Sequence, residues 1–470
     1  VRLRRVGCSS GKGVGERSGV GADEDTTAAI ASIAIPTFVA LAVDPVAGLL
    51  DTAFLGHLGS AELAGAGVSL SFFATTTKLI NVPLLAVTTS AVGGAVGTSG
   101  EADDISRTAA SVLVTAIAVG IVQAVLLSGG TQLGLQAWGL DVSSSAYDAG
   151  QEFLQARAWG APVTTMLLVS QGVFRGLGDA KMPLKAAVIA CSLNALLDPL
   201  LMFTFGLGAR GAAWATVAAE GAAVAFLVSD LVGKYDLTKV DESFASDILE
   251  LVRPTGYLML RTAALSGTLA YATGVSARIS VEATASFEIC FQIWLASSLL
   301  ADALAVAVQT VLARGRGTGG ASSACMVVDR SLQLGGLLGI GLGGVLLLVR
   351  DPLLGLFSEQ DVVLRQASQS LVYAAAIQPL TTLAFVWDGV LFGADAFWYA
   401  ALAMPFCVAP SVAIMYGALM SDSSVESRMA SIWLALAVLM GMRSVAAYIP
   451  YRLNIGPFKG AEFSTRQQKG

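Results

Sequence analysis

Along the chain, apolar runs of bilayer length alternate with short polar breaks. A helix needs about 20 apolar residues to cross a membrane. About twelve segments fit: 28–54, 64–96, 107–128, 148–173, 184–205, 210–232, 247–273, 282–312, 325–349, 366–392, 396–417 and 427–449. The second and eighth exceed bilayer thickness and are expected to begin in the interface. Lys and Arg sort between the breaks. The tails and even-numbered loops hold most of them, among them Arg107, Lys181, Lys185, Lys234 and Arg314. The odd loops hold few, such as Arg210, Arg278 and Arg350. The positive-inside rule then puts both termini on one side, cytosolic or organelle-interior, which requires an even number of spans.

The pattern repeats. Pro162-Val163-Thr164-Thr165 precedes Gly172-Val173-Phe174-Arg175-Gly176; about 217 residues later Pro379-Leu380-Thr381-Thr382 precedes Gly389-Val390-Leu391-Phe392-Gly393. Pro36-Thr37 and Pro254-Thr255 share nearly that offset. A shared offset over the first/seventh and fourth/tenth spans means a duplicated six-span unit. Six is even, so both halves cross in the same sense about a pseudo-twofold axis along the membrane normal. The expected organisation is a tail over 1–27, an N-lobe over 28–232, a connector over 233–253, a C-lobe over 254–450 and a tail over 451–470. The fold class is all-α integral membrane: two parallel six-helix lobes around a V-shaped cleft.

Composition narrows the function. Of 470 residues, 55% are hydrophobic and 13% charged, with a mean hydropathy of +0.70. A soluble domain carries roughly 25% charged residues, so an ordinary soluble enzyme is excluded. Net charge is −6, which leaves no basic footprint for nucleic acid. The one histidine, His57, argues against imidazole metal centres and His-based catalysis. No catalytic residue, metal or cofactor is expected. The cysteines Cys8, Cys191, Cys290, Cys325 and Cys407 form no C-x-x-C pair and read as small packing residues. The abundant glycine, as in Gly93-Gly94 with Gly97 and the run from Gly335 to Gly344, reads as helix-packing seams. The chain opens on Val1 rather than Met, as a fragment or processed form would. Its first 27 residues, basic early and Ser/Gly-rich, fit a transit-peptide remnant or a disordered cytosolic tail.

Ionisable residues inside a bilayer are costly and mark function or a static pair. They are Asp44, Asp51, Lys78, Arg157, Asp198 and Glu220 in the first half, and Arg261, Glu288, Asp302 and Asp388 in the second. Asp44 and Asp51 share a face of the first span, which Pro36 and Pro45 make bendable. Asn194 and Asp198 lie one turn apart on the fifth. If those spans face each other, Asp51, Asn194 and Asp198 form one polar pocket. Such a carboxyl can exchange a proton near neutral pH, or trade it for Na⁺. Plainer readings stand beside this one. Asp51 can be an interfacial cap, Asp198 a static partner of Arg157, and Lys78 a snorkelling side chain. Arg261 and Asp388 can be a neutralising pair, and Glu220 can be paired in the same way.

The sequence resembles the multidrug and toxic compound extrusion (MATE) family, in particular the plant and algal branch with citrate exporters and chloroplast-envelope members. The resemblance rests on Asp51-Thr52-Ala53-Phe54-Leu55-Gly56-His57-Leu58-Gly59, Asn81-Val82-Pro83, Gln171-Gly172-Val173-Phe174-Arg175-Gly176, Asn194-Ala195-Leu196-Leu197-Asp198-Pro199, Gly211-Ala212-Ala213-Trp214, Gln292-Ile293-Trp294-Leu295 and Asp388-Gly389-Val390. It implies twelve helices in two lobes, a monomer, and exchange of H⁺ or Na⁺ for an organic solute. It also implies a cation site on Asp51, Asn194, Asp198 and Thr216. C-lobe acids of plant relatives suggest Asp388, and less directly Glu288 or Asp302, as a second coupling or substrate group. Where this branch tends to read Ala-His-Gln-Ile-Cys, the chain reads Ser286-Phe287-Glu288-Ile289-Cys290.

The expected function is therefore a secondary antiporter in the chloroplast envelope or plasma membrane of a plant or alga. It would export citrate, a phenolic acid or a xenobiotic by alternating access as the first helix bends. Asp44, Lys78, Arg157 and Arg261 are further candidates for coupling or substrate contact. The alternatives are a lipid flippase of similar architecture and an intramembrane prenyltransferase, which Asn194…Asp198 resembles only in half a motif.

Overall fold

The computed structural model describes residues 19–238, 244–316 and 321–459; most of the amino-terminal tail and the end of the carboxy-terminal tail lie outside them. The helices follow the apolar runs. In order they are α1 (Gly19–Leu58), α2 (Ser60–Thr98), α3 (Ala102–Gly129), the short α4 (Thr131–Ala137), α5 (Tyr147–Gly176), α6 (Lys181–Pro199), α7 (Gly208–Lys234) and α8 (Phe244–Ala277). Then come α9 (Val281–Arg314), α10 (Ala321–Leu348), the short α11 (Arg350–Leu354), α12 (Asp361–Ala376), α13 (Gln378–Gly393), α14 (Phe397–Met420) and α15 (Val425–Leu453). No strand occurs among the described residues. In a bilayer only a helix satisfies every backbone group within its own segment.

Among the described residues, nine helices are long and apolar enough to cross a membrane, ten with the bent pair α12–α13. α5 and α8 are as long, at 30 and 34 residues, but carry more charge, including Arg157 and Arg261. With those two the long segments number about twelve, at the expected places. The chain is a multi-pass membrane protein.

The described residues divide into two compact units, one within 35–259 and the other from residue 260 on together with the part of α1 before residue 35. The division therefore runs through α1 and α8 rather than through 233–253. One expression of this is Arg330 on α10, whose Nε donates to Thr27 Oγ1 on the first turns of α1 at 2.8 Å.

Each unit uses the same seams. In the first, the face of α5 is held close by glycine: a Cβ on Gly120 would strike Pro162, one on Gly172 the Leu85 carbonyl, and one on Gly176 the Thr89 carbonyl. In the second, Gly339 stands against Pro379, Gly389 against the Ala305 carbonyl and Gly393 against the Gln309 carbonyl. The pairs recur at about the sequence offset of the repeat, so the duplication extends to packing. The expected seam over 335–344 is one-sided. Gly335, Gly339 and Gly343 touch the neighbouring helix, whereas Gly336, Gly341 and Gly344 meet nothing.

Three expectations need correction at this level. The span over 366–392 is not one helix: it breaks at Ile377 and bends by 45°. Pro379 lacks an N–H and its ring crowds the Ala375 carbonyl. That carbonyl lies against Gly343, whose missing side chain leaves it room. The matching Pro162 leaves α5 continuous. Second, α1 begins at Gly19, inside the expected tail, because extending a formed helix through the Ala-rich run costs little. Residues 1–18, where most of the transit-peptide reading falls, lie outside the described residues. Third, the tail after residue 450 starts as structure: α15 runs to Leu453, and Tyr451 and Phe458 stack edgewise on Trp387. Tyr451 Oη also donates to Asp329 Oδ1 at 3.0 Å.

Candidate functional site

α1 and α2 are joined by the single residue Gly59, at φ 149°, a backbone value that favours glycine. α1 runs as a helix through both Pro36 and Pro45. Asp51 lies two turns before its last residue and is no cap. On α6, Asn194 and Asp198 are one turn apart, followed by Pro199 and a π-helical stretch, Leu200–Thr204. Such wide turns are rare and frequently sit beside functional groups.

These elements bring three of the expected residues together. Asn194 Nδ2 donates to Asp51 Oδ1 at 2.5 Å and to Asp198 Oδ2 at 3.0 Å. One amide nitrogen thus ties α1 to α6 through two carboxyl groups. Asp198 is 0% exposed and Asn194 4%. Asn194 Oδ1 and Asp198 Oδ1 are buried without a hydrogen-bond partner. A pair of ionised carboxylates here would place two negative charges around one neutral amide, one of them fully buried. A proton or a small cation relieves that, and the orphaned oxygens are the ligands a hard cation prefers.

Thr216 does not join this group. Its hydroxyl donates to the Ala212 carbonyl of its own helix, α7, at 3.0 Å. Arg157 does not pair with Asp198 either. Both its terminal nitrogens donate to Glu220 Oε1 at 3.2 Å, while its guanidinium lies over the Phe73 ring. Thr164 Oγ1 donates to Glu220 Oε2 at 2.5 Å. This is a charge-neutral pair in which both Glu220 oxygens accept hydrogen bonds while Arg157 Nε is buried without a partner; it fits the paired reading of Glu220. Asp44 is exposed on α1, within electrostatic reach of Glu220, Arg175 and Lys78. Lys78 is exposed on α2.

In the other unit Arg261 and Asp388 meet as anticipated, Nη2 to Oδ1 at 2.5 Å. A third group was missed: Arg443 on α15 donates from Nη2 to Asp388 Oδ2 at 2.5 Å. The criterion that singled out Arg261, a charge inside an apolar span, applied equally to Arg443. Glu288 and Asp302 are half-buried on α9. Phe287 is fully buried, stacks on Phe291 and lies tilted against Trp433. Also missed was a buried knot in the first unit, where Gln123 Nε2 donates to Asn81 Oδ1 at 2.7 Å and Thr165 lies within reach of both. Among the described residues no group of three or more His, Cys, Asp and Glu gathers as a metal site would need.

Comparison with known proteins identifies the family. The MatE family profile matches residues 36–200 and 259–419. The chain is 37% identical over 438 residues to "Protein DETOXIFICATION 44, chloroplastic" of Arabidopsis thaliana, covering 92% of this chain and 83% of that protein. It is 32% identical over 462 residues to "Protein DETOXIFICATION 45, chloroplastic" of the same plant, covering 94% and 81%. The crystal structure of the Vibrio cholerae MATE transporter VcmN in the bent form superposes with a TM-score of 0.84, over 92% of this chain and 98% of that one, at 18% identity. That likeness shows the fold alone. With a family profile over most of its length and relatives this similar nearly end to end, the chain belongs to the MatE family of multidrug and toxic-compound efflux transporters.

Proposed function

We propose that the protein is a secondary antiporter that exports an organic solute in exchange for protons, with Asp51, Asn194 and Asp198 as the coupling site. The observation that carries this is the Asn194 amide between the half-buried Asp51 carboxyl and the fully buried Asp198 carboxyl, with Asp198 Oδ1 and Asn194 Oδ1 left unpaired. A proton on one carboxyl supplies the missing donor and removes the like-charge repulsion. Because Asp51 is on α1 and Asp198 on α6, gaining or losing that proton changes the force between two helices. A gradient drives exchange when protonation favours one access state over the other. Na⁺ could load the same oxygens, so the two ions are separated by experiment. Thr216 fits a later ligand only after its hydroxyl leaves Ala212, and Pro36 and Pro45 supply the compliance of α1.

The relatives are named as chloroplastic in Arabidopsis, which supports a chloroplast membrane as the site of action. Citrate or a phenolic acid is the solute class we favour, since buried guanidinium groups outnumber carboxylates in the second unit. The test is labelled citrate or salicylate flux in proteoliposomes under an imposed pH gradient, then a Na⁺ gradient, with Asp198→Asn in parallel. Flux that follows the proton gradient and disappears in the variant is expected. Undiminished flux in a folded Asp198→Asn protein would remove the trio from coupling.

A further inference from the structure

The second unit buries more positive than negative charge. Arg261 and Arg443 are 8% and 7% exposed, and both reach a single carboxylate, Asp388. Two guanidinium groups against one carboxylate leave one net positive charge. Desolvating an unbalanced charge is expensive, so a purely structural cluster is expected to be neutral, as Arg157–Glu220 is in the first unit.

The donors are also in surplus. A guanidinium presents five N–H groups. Asp388 takes one contact from each arginine, and Arg443 Nη1 adds only a thioether contact, to Met440 Sδ at 2.9 Å. Arg443 Nε is buried with no partner at all. Aromatic rings cover the guanidinium faces: Arg261 lies over Phe392 at 5.3 Å and Arg443 over Phe385 at 5.6 Å. With one face of each guanidinium covered, the N–H edges are the groups left to bind an anion, and edge-on binding suits a planar acceptor with two oxygens. Asp388 is such an acceptor and already sits there. Its side chain keeps 16% exposure, so the cluster is not sealed.

We infer that Arg261, Asp388 and Arg443 form a carboxylate-binding subsite, in which Arg443 and Arg261 receive a carboxylate of an organic anion beside Asp388. The inference rests on the exporter reading above and names its substrate class. Asp388 keeps the empty site from carrying two unbalanced charges and limits affinity, so that the anion can also leave.

The experiment is equilibrium binding of labelled citrate to the full chain in lipid nanodiscs, with tetraphenylphosphonium as the cationic control. Arg443→Gln leaves a neutral Arg261–Asp388 pair and is expected to weaken citrate binding tenfold or more, on the order of one charge-assisted hydrogen bond. Arg443→Lys keeps the charge but not the fork and should fall between. Asp388→Asn should tighten binding. Gly417→Ala, at a glycine that meets nothing within contact distance and lies in neither site, should bind citrate as the unaltered protein does. If Arg443→Gln fails to fold, the order of Arg443→Lys, unaltered protein and Asp388→Asn reads the same dependence on charge. Equal citrate affinity across the series, or binding of tetraphenylphosphonium but not citrate by the unaltered protein, would overturn the inference. Neither result touches proton-driven flux, whose loss in Asp198→Asn is read separately.

Discussion

Asn194 holds two carboxyl groups with one amide, and no neighbour replaces it. Asn194→Ala removes both donors and leaves Asp51 and Asp198 facing each other. The expected cost is about 1–3 kcal/mol of stability, the usual range for stranding buried polar groups. It should show as a lower unfolding temperature at neutral pH, with much of the loss recovered in acid, where both carboxyls carry protons. No recovery in acid would mean the amide matters for packing alone. The trio itself was visible in the sequence, because charge inside an apolar span is conspicuous and an i,i+4 spacing fixes a shared helix face. The fate of the fourth expected member was not. Thr216 sits on the anticipated helix, but a threonine hydroxyl in a helix readily returns to the carbonyl four residues back, and spacing says nothing about that choice.

Among helices, the seams carry the stability. Gly389 lies against the Ala305 carbonyl, so the Cβ of Gly389→Ala must push backbone apart. Overpacking of this kind costs about 1–3 kcal/mol. Gly417 on α14 meets nothing within contact distance, and Gly417→Ala should be neutral or slightly stabilising through helix propensity. Thermal unfolding of the two variants, compared in one detergent, measures the difference; equal shifts would mean that the seam is not close-packed. A second prediction belongs to α1. Pro45→Ala restores a backbone hydrogen bond and stiffens the helix. Transport turnover should drop while citrate binding is kept. Turnover equal to that of the unaltered protein would exclude bending at Pro45 from the cycle. Element positions were readable because apolar run length dictates a span. The break at Ile377 was not, since Pro162 occupies the same register without one. What differs is a three-dimensional fact: α10 brings Gly343 against the carbonyl that Pro379 displaces.

For the molecule as a whole, duplication is the organising fact. The repeat was legible as two proline–threonine motifs at one offset, and the packing of each unit repeats it. The two units nevertheless differ in chemistry. One holds a carboxyl pair on an amide, the other a buried arginine pair on a carboxylate. Arg443 went unnoticed because it has no motif, only a place in an apolar run. If the first unit handles protons and the second an anion, then exchange requires that both report to one access change. The direct measurement is counterflow: liposomes loaded with citrate, no imposed pH gradient, an internal pH dye, and a pH at which citrate stays fully ionised. Antiport predicts that outward citrate movement acidifies the interior, and that Asp198→Asn abolishes the acidification. Citrate efflux with no proton entry, or acidification unchanged in Asp198→Asn, would contradict coupling through Asp51, Asn194 and Asp198.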